Sequence, residues 1–136
     1  MNRFALFSAI TGSLVAQGVC ADGEEPTYDD ATITRLWLGD GHSIHGNHCL
    51  VGGVVTERTF WATAPVQIEG AAGVVALTGL PAGAHIRIDP DGMTEFERAY
   101  AQANGAGACT ITLPAGQFRV ALEGAWKGPF AQISLT

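Results

Sequence analysis

Three histidines and a cysteine, His42, His45, His48 and Cys49, fall within the nine-residue stretch GHSIHGNHC. Imidazole nitrogens and thiolate sulfur are the usual protein ligands of zinc, so this is where the chain could hold a metal. The spacing argues against it. On a strand, steps of three residues alternate between faces, so a shared site would need an irregular loop. No second cluster supplies the complementary ligand pair that metal-binding sequences usually carry. His42, His45 and His48 are therefore weak metal candidates, better explained as turn and surface residues beside strands, and no cofactor is expected. A three-fold assembly would be one way to bring copies of a single histidine together on an axis.

Nucleophilic catalysis requires an activated Ser, Cys or Thr, a histidine to take its proton, and a group to orient that histidine. Asp40, His42 and Ser43 are close in sequence but share one short turn with no oxyanion donor beside it, and there is no G-x-S-x-G elbow. Asp91, Glu95 and Glu97 read as solvated charge rather than a general acid pair. The glycines mark turns; none opens a helix after a strand as a phosphate-binding loop would. The sequence predicts a protein that is not an enzyme. Trp61, with Phe60, Trp126 and Phe130, stands out differently: aromatics at strand ends and in connectors anchor protein interfaces.

Composition sets what must position these residues. Apolar residues make up 47% of the 136-residue chain and charged ones 15%, which places it among globular rather than disordered proteins. A formal charge of -6, without a Lys/Arg cluster, excludes nucleic acid as an expected partner. No run approaches the roughly 20 apolar residues of a spanning helix. Cys20, Cys49 and Cys109 are odd in number, so a complete disulfide framework cannot form, and a reducing compartment is expected.

Eighteen glycines and six prolines punctuate short runs rich in β-branched residues, which predicts an all-β chain. The opening MNRFALFSAITGSLVAQGVCA has the outline of a signal peptide over residues 1–21, but Ser8, Thr11-Gly12-Ser13 and Gln17-Gly18 interrupt its apolar run. A hairpin turning at Thr11-Gly12 is the preferred reading. An acidic loop over 22–30, a strand over 33–38 and a second hairpin at Gly52-Gly53 follow. Residues 1–60 form the N-terminal hairpin domain, 61–65 (WATAP) a connector, and 66–136 a second domain of six short strands with the spacing of a small β-sandwich. One segment departs from this pattern. Phe96, Ala99, Tyr100 and Ala103 stand at helical spacing after a capping Thr94, which predicts a short helix near 93–104.

Taken together, the opening hairpin sequence and HCLVGGVVTER resemble a class of small tail-associated proteins of tailed bacteriophages. VALTGLPAGAHIRID and LPAGQFRVALEGAWKGP resemble the compact Ig-like or transthyretin-like modules that end such proteins. Cys49-Leu50 departs from the aromatic expected after His48, and residues 89–107 look like an insertion. The resemblance implies a virion structural protein of the tail, baseplate or fibre attachment, made in the host cytoplasm. It also implies that several copies assemble through contacts with other virion subunits. The alternative is a secreted or periplasmic β-domain binding a small ligand or carbohydrate, with residues 1–21 as its signal.

Overall fold

Strands that alternate apolar and polar residues must bury one face, and two separate groups of strands in this chain each bury their own. The structure, a computed structural model, describes residues 1–25, 27–29, 31–39, 44–63, 67–92 and 96–136. The chain divides into two compact units, Met1–Arg58 and Thr59–Thr136.

In the first unit, β1 (Asn2–Ser8), β2 (Leu14–Cys20) and β3 (Ile33–Leu38) form an antiparallel sheet with β1 in the centre. Ala5 and Phe7 point from β1 to one face and are fully buried with Ile44, packed by Leu36, Leu38 and Leu50. On the opposite face Phe4 lies edge-on to Trp37 at 6.3 Å, and the Arg35 guanidinium sits over the Trp37 ring while pairing with Glu25. β4 (His48–Val51) and β5 (Val54–Glu57) form the second hairpin. Its turn residues Gly52 and Gly53 have φ of +57° and +81°, the left-handed backbone that a two-residue hairpin of this hand requires.

The second unit begins with β6 (Thr59–Phe60), which pairs in parallel with β13 (Trp126–Lys127). A five-stranded sheet holds, in spatial order, β10 (Ala99–Gln102), β9 (His85–Pro90), β12 (Gly116–Glu123), β14 (Ala131–Leu135) and β7 (Ile68–Gly70). A second sheet contains β8 (Gly73–Leu77) and β11 (Cys109–Leu113). Val75, Leu77 and Leu113 of the smaller sheet share one core with Ile86, Phe118 and Ile133 of the larger, so the two sheets pack apolar face to apolar face.

The expected helix near 93–104 is overturned. Met93, Thr94 and Glu95 lie outside the described residues, Ala99–Gln102 is strand β10, and among the described residues there is no helix. The alanines satisfy two periods at once: Ala99, Ala101 and Ala103 also alternate, and in the strand they turn inward while Tyr100 and Gln102 face solvent. Pairing with β9 satisfies one of its edges with backbone hydrogen bonds, and that non-local gain outweighs a helical preference of a few tenths of a kcal/mol per residue.

On the outer face of the large sheet, Arg87 Nε donates to Asp89 at 2.7 Å and its Nη1 to Glu123 at 2.7 Å, while Arg98 Nε donates to Asp89 at 2.6 Å. Burial pushes the Asp89 carboxyl up, but hydrogen bonds and charge from Arg87 and Arg98 outweigh it and leave its pKa below the ordinary value. Such a carboxylate contributes stability in full above the unfolded-state pKa of about 3.9, and the contribution is lost as pH falls through the lower folded-state value. Asp89→Asn is therefore expected to cost up to about 1 kcal/mol at neutral pH, because the network is partly exposed. Paired urea denaturations of wild type and variant should show that difference closing in acid.

Candidate functional site

The histidine stretch forms a turn leading into β4. The His45 backbone N–H donates to His48 Nδ1 at 3.1 Å, and the Asn47 N–H donates to His45 Nδ1 at 3.2 Å. The His48 N–H closes the turn on the His45 carbonyl at 2.9 Å, and the two rings lie 4.1 Å apart. Each Nδ1 lone pair is occupied by a backbone donor, so the neutral rings carry their protons on Nε2. Nitrogen-15 NMR should find both neutral rings in this tautomer, and Nδ1-protonated rings would show that they do not accept from the turn's backbone.

His42 lies outside the described residues. Cys49 is fully buried, and its neighbour on β4, His48, points to the other face, as strand alternation requires. Burial pushes the Cys49 thiol up from its ordinary pKa, against a smaller downward pull from Arg58, and burial alone raises that of Cys109. Both are kept as thiols rather than as the thiolates that bind metals or attack substrates. All three cysteines are free. Among the described residues, no three His, Cys, Asp or Glu side chains gather closely enough to hold a metal ion.

The aromatic residues are placed more informatively. Trp61 and Trp126 meet edge to face at 5.6 Å, brought together by the β6–β13 pairing, and the Trp61 indole N–H donates to the Gly79 carbonyl at 3.0 Å. Trp61 walls an apolar cleft of about 140 Å³ together with Leu77, Leu80, Leu122, Pro129 and Ala131. Gly128 permits this arrangement, since a Cβ there would come within 2.6 Å of the Trp61 carbonyl oxygen. Phe60 is exposed on β6. Phe130 stands apart from the tryptophan pair, with the Arg119 guanidinium 4.6 Å from its ring centre. The structure thus joins Trp61 to Trp126 and gives Phe130 a different setting, a separation that the linear sequence does not signal.

No protein-family model, curated protein or solved structure matches the chain. No helix among the described residues is long and apolar enough to cross a membrane.

Proposed function

We propose that the chain is a structural subunit of a bacteriophage virion, a tail or baseplate/fibre-attachment component present in several copies and acting through contacts with neighbouring subunits. On this reading the second unit is an Ig-like or transthyretin-like module. The observation that carries the proposal is the set of large apolar side chains left exposed at strand edges and turns. Val15 and Val19 lie on edge strand β2, Val54 is 63% exposed beside the β4–β5 turn, Phe60 is 61% exposed, and Val74 is 75% exposed on β8. Unpaired edges and exposed apolar side chains are aggregation hazards in a lone protein and ordinary contact surface in an assembly. The sequence resemblance supplies the kind of assembly.

The secreted alternative requires residues 1–21 to be removed. β1 is the central strand of its sheet and carries the buried Ala5 and Phe7, so such cleavage would take away two of three strands and much of the first core. This supports the hairpin reading. Mass spectrometry of purified tailed particles tests the proposal: the chain should be recovered at a fixed copy number relative to the major tail protein. Its absence from particles, or a native protein lacking roughly its first twenty residues, would overturn the virion assignment.

A further inference from the structure

Strand alternation on the large sheet sorts its side chains cleanly. Phe118 and Ile133 face each other in the ladder and point into the core, so the pairs on either side, Gln117 with Ser134 and Arg119 with Gln132, point outward. On the neighbouring parallel strand, Glu69 is in register with Ser134, and Gln67, just before that strand, lines the same groove. Three carboxamides, Gln67, Gln117 and Gln132, are thereby gathered with Ser134, Glu69 and Asp91 around a groove of about 200 Å³. A second hollow of about 300 Å³ shares Gln67 and Gln132 and is walled by Pro129 and Phe130. Phe130 has one side against Arg119 and remains 43% exposed.

The chemistry of this lining selects a class of ligand. Each carboxamide offers two donors and an acceptor on a flat, rigid head, the pattern that vicinal hydroxyl groups satisfy in both directions. Glu69 and Asp91 accept only, which suits hydroxyl donors and repels phosphate or carboxylate groups. The nearby cation, Arg119, is already engaged by the Phe130 ring and lies 3.9 Å from Asp91. An anionic ligand would meet two carboxylates, Glu69 and Asp91, in the lining of a groove on a chain of formal charge -6. An apolar ligand would strand the amides without partners. A neutral polyhydroxylated ring with an apolar C–H face satisfies both parts, its hydroxyl edge toward the amides and its C–H face toward Phe130.

We propose that the outer face of β12, β14 and β7 is a saccharide-binding site, with Gln67, Gln117 and Gln132 holding the hydroxyl groups and Phe130 packing against the ring. The inference goes beyond the virion assignment and does not depend on it. The groove is smaller than the 300 Å³ or more typical of drug-sized ligands, so affinity for a single sugar is expected to be on the order of 1 mM and to rise with repeated units or repeated copies.

The test uses the full chain, nitrogen-15 labelled and titrated with starch-type, cellulose-type and chitin-type oligosaccharides, alongside a glycan array of bacterial surface polysaccharides. At least one sugar should bind, and it should shift the side-chain amide resonances of Gln67, Gln117 and Gln132. Gln117→Ala combined with Gln132→Ala should weaken that binding by tenfold or more. Phe130→Ala should weaken it without moving the resonances of the buried core. These positions face solvent, so the core resonances also confirm that each variant is folded. No binding across the array and titrations, or binding that survives both sets of substitutions, overturns the proposal. Sugar binding by a chain absent from particles would leave this site standing and remove the virion reading; the converse result would do the opposite.

Discussion

Replacing Phe118 with alanine is expected to unfold Thr59–Thr136. Phe118 is 2% exposed in the middle of β12, the strand that pairs with both β9 and β14, so its ring sits where the large sheet meets the small one. Phe96 packs edge-on against it at 5.0 Å, and Val75, Leu113, Val120 and Ile133 belong to the same buried cluster. Truncating a buried phenylalanine removes its transfer free energy and leaves a cavity that a close-packed interior only partly refills, a loss of about 3–5 kcal/mol. Small domains carry roughly 5–15 kcal/mol in total, and one of this size sits near the lower end. Urea denaturation followed by Trp61 and Trp126 emission should show the transition moved to very low urea or absent. Phe118→Leu keeps most of the volume and should retain a cooperative transition. A loss below about 1 kcal/mol for the alanine variant would mean that the two sheets do not share the core described above.

The second large effect is expected at a glycine, and both units use the same device. Gly107 has φ of +73°, and its carbonyl accepts from the Leu80 N–H at 3.1 Å, while a Cβ built on it would come within 2.1 Å of the Leu80 carbonyl oxygen. Gly12 has φ of +80°, accepts from the Leu50 N–H at 2.9 Å, and leaves only 2.4 Å between a Cβ and the Leu50 carbonyl oxygen. In each case a tight turn is seated against the backbone of a distant segment at a separation that only a residue without a side chain allows. Gly107→Ala incurs about 1 kcal/mol for the left-handed backbone and further loss from breaking or bending the contact with Leu80, about 2–3 kcal/mol together. Gly105→Ala, a few residues away with open space where its Cβ would go, should be nearly neutral. Thermal unfolding of the pair checks the claim, and equal melting temperatures would refute it.

These glycines also show where sequence reading reaches its limit. Thr11-Gly12 is legible as a turn and Gly52-Gly53 as a hairpin because their signals are local: a residue permitting positive φ between two alternating runs. That Leu50 docks on Gly12, or Leu80 on Gly107, depends on chain segments that sequence spacing does not relate. Six strands of the second unit are legible for the same local reason, since Gly or Pro stands at their borders. β10 is misread because small alanines carry two periods equally well and its pairing partner β9 decides between them. β6 and β13 are missed because two-residue strands have no period at all.

For function the contrast is sharper. The histidines draw attention because their side chains are reactive, yet in the structure the Nδ1 atoms of His45 and His48 accept backbone hydrogen bonds that hold a turn. Gln67, Gln117 and Gln132 carry no motif and read as ordinary outward residues on three strands. Only the order β12-β14-β7 and its register place them around one groove. By itself the sequence determined an all-β chain, most of its turns and the absence of charge suited to nucleic acid, because those follow from composition, local backbone preference and Coulomb's law. The tertiary structure decided which strands lie side by side, and therefore which side chains meet, because strand pairing is a non-local choice made by the packing of the whole core.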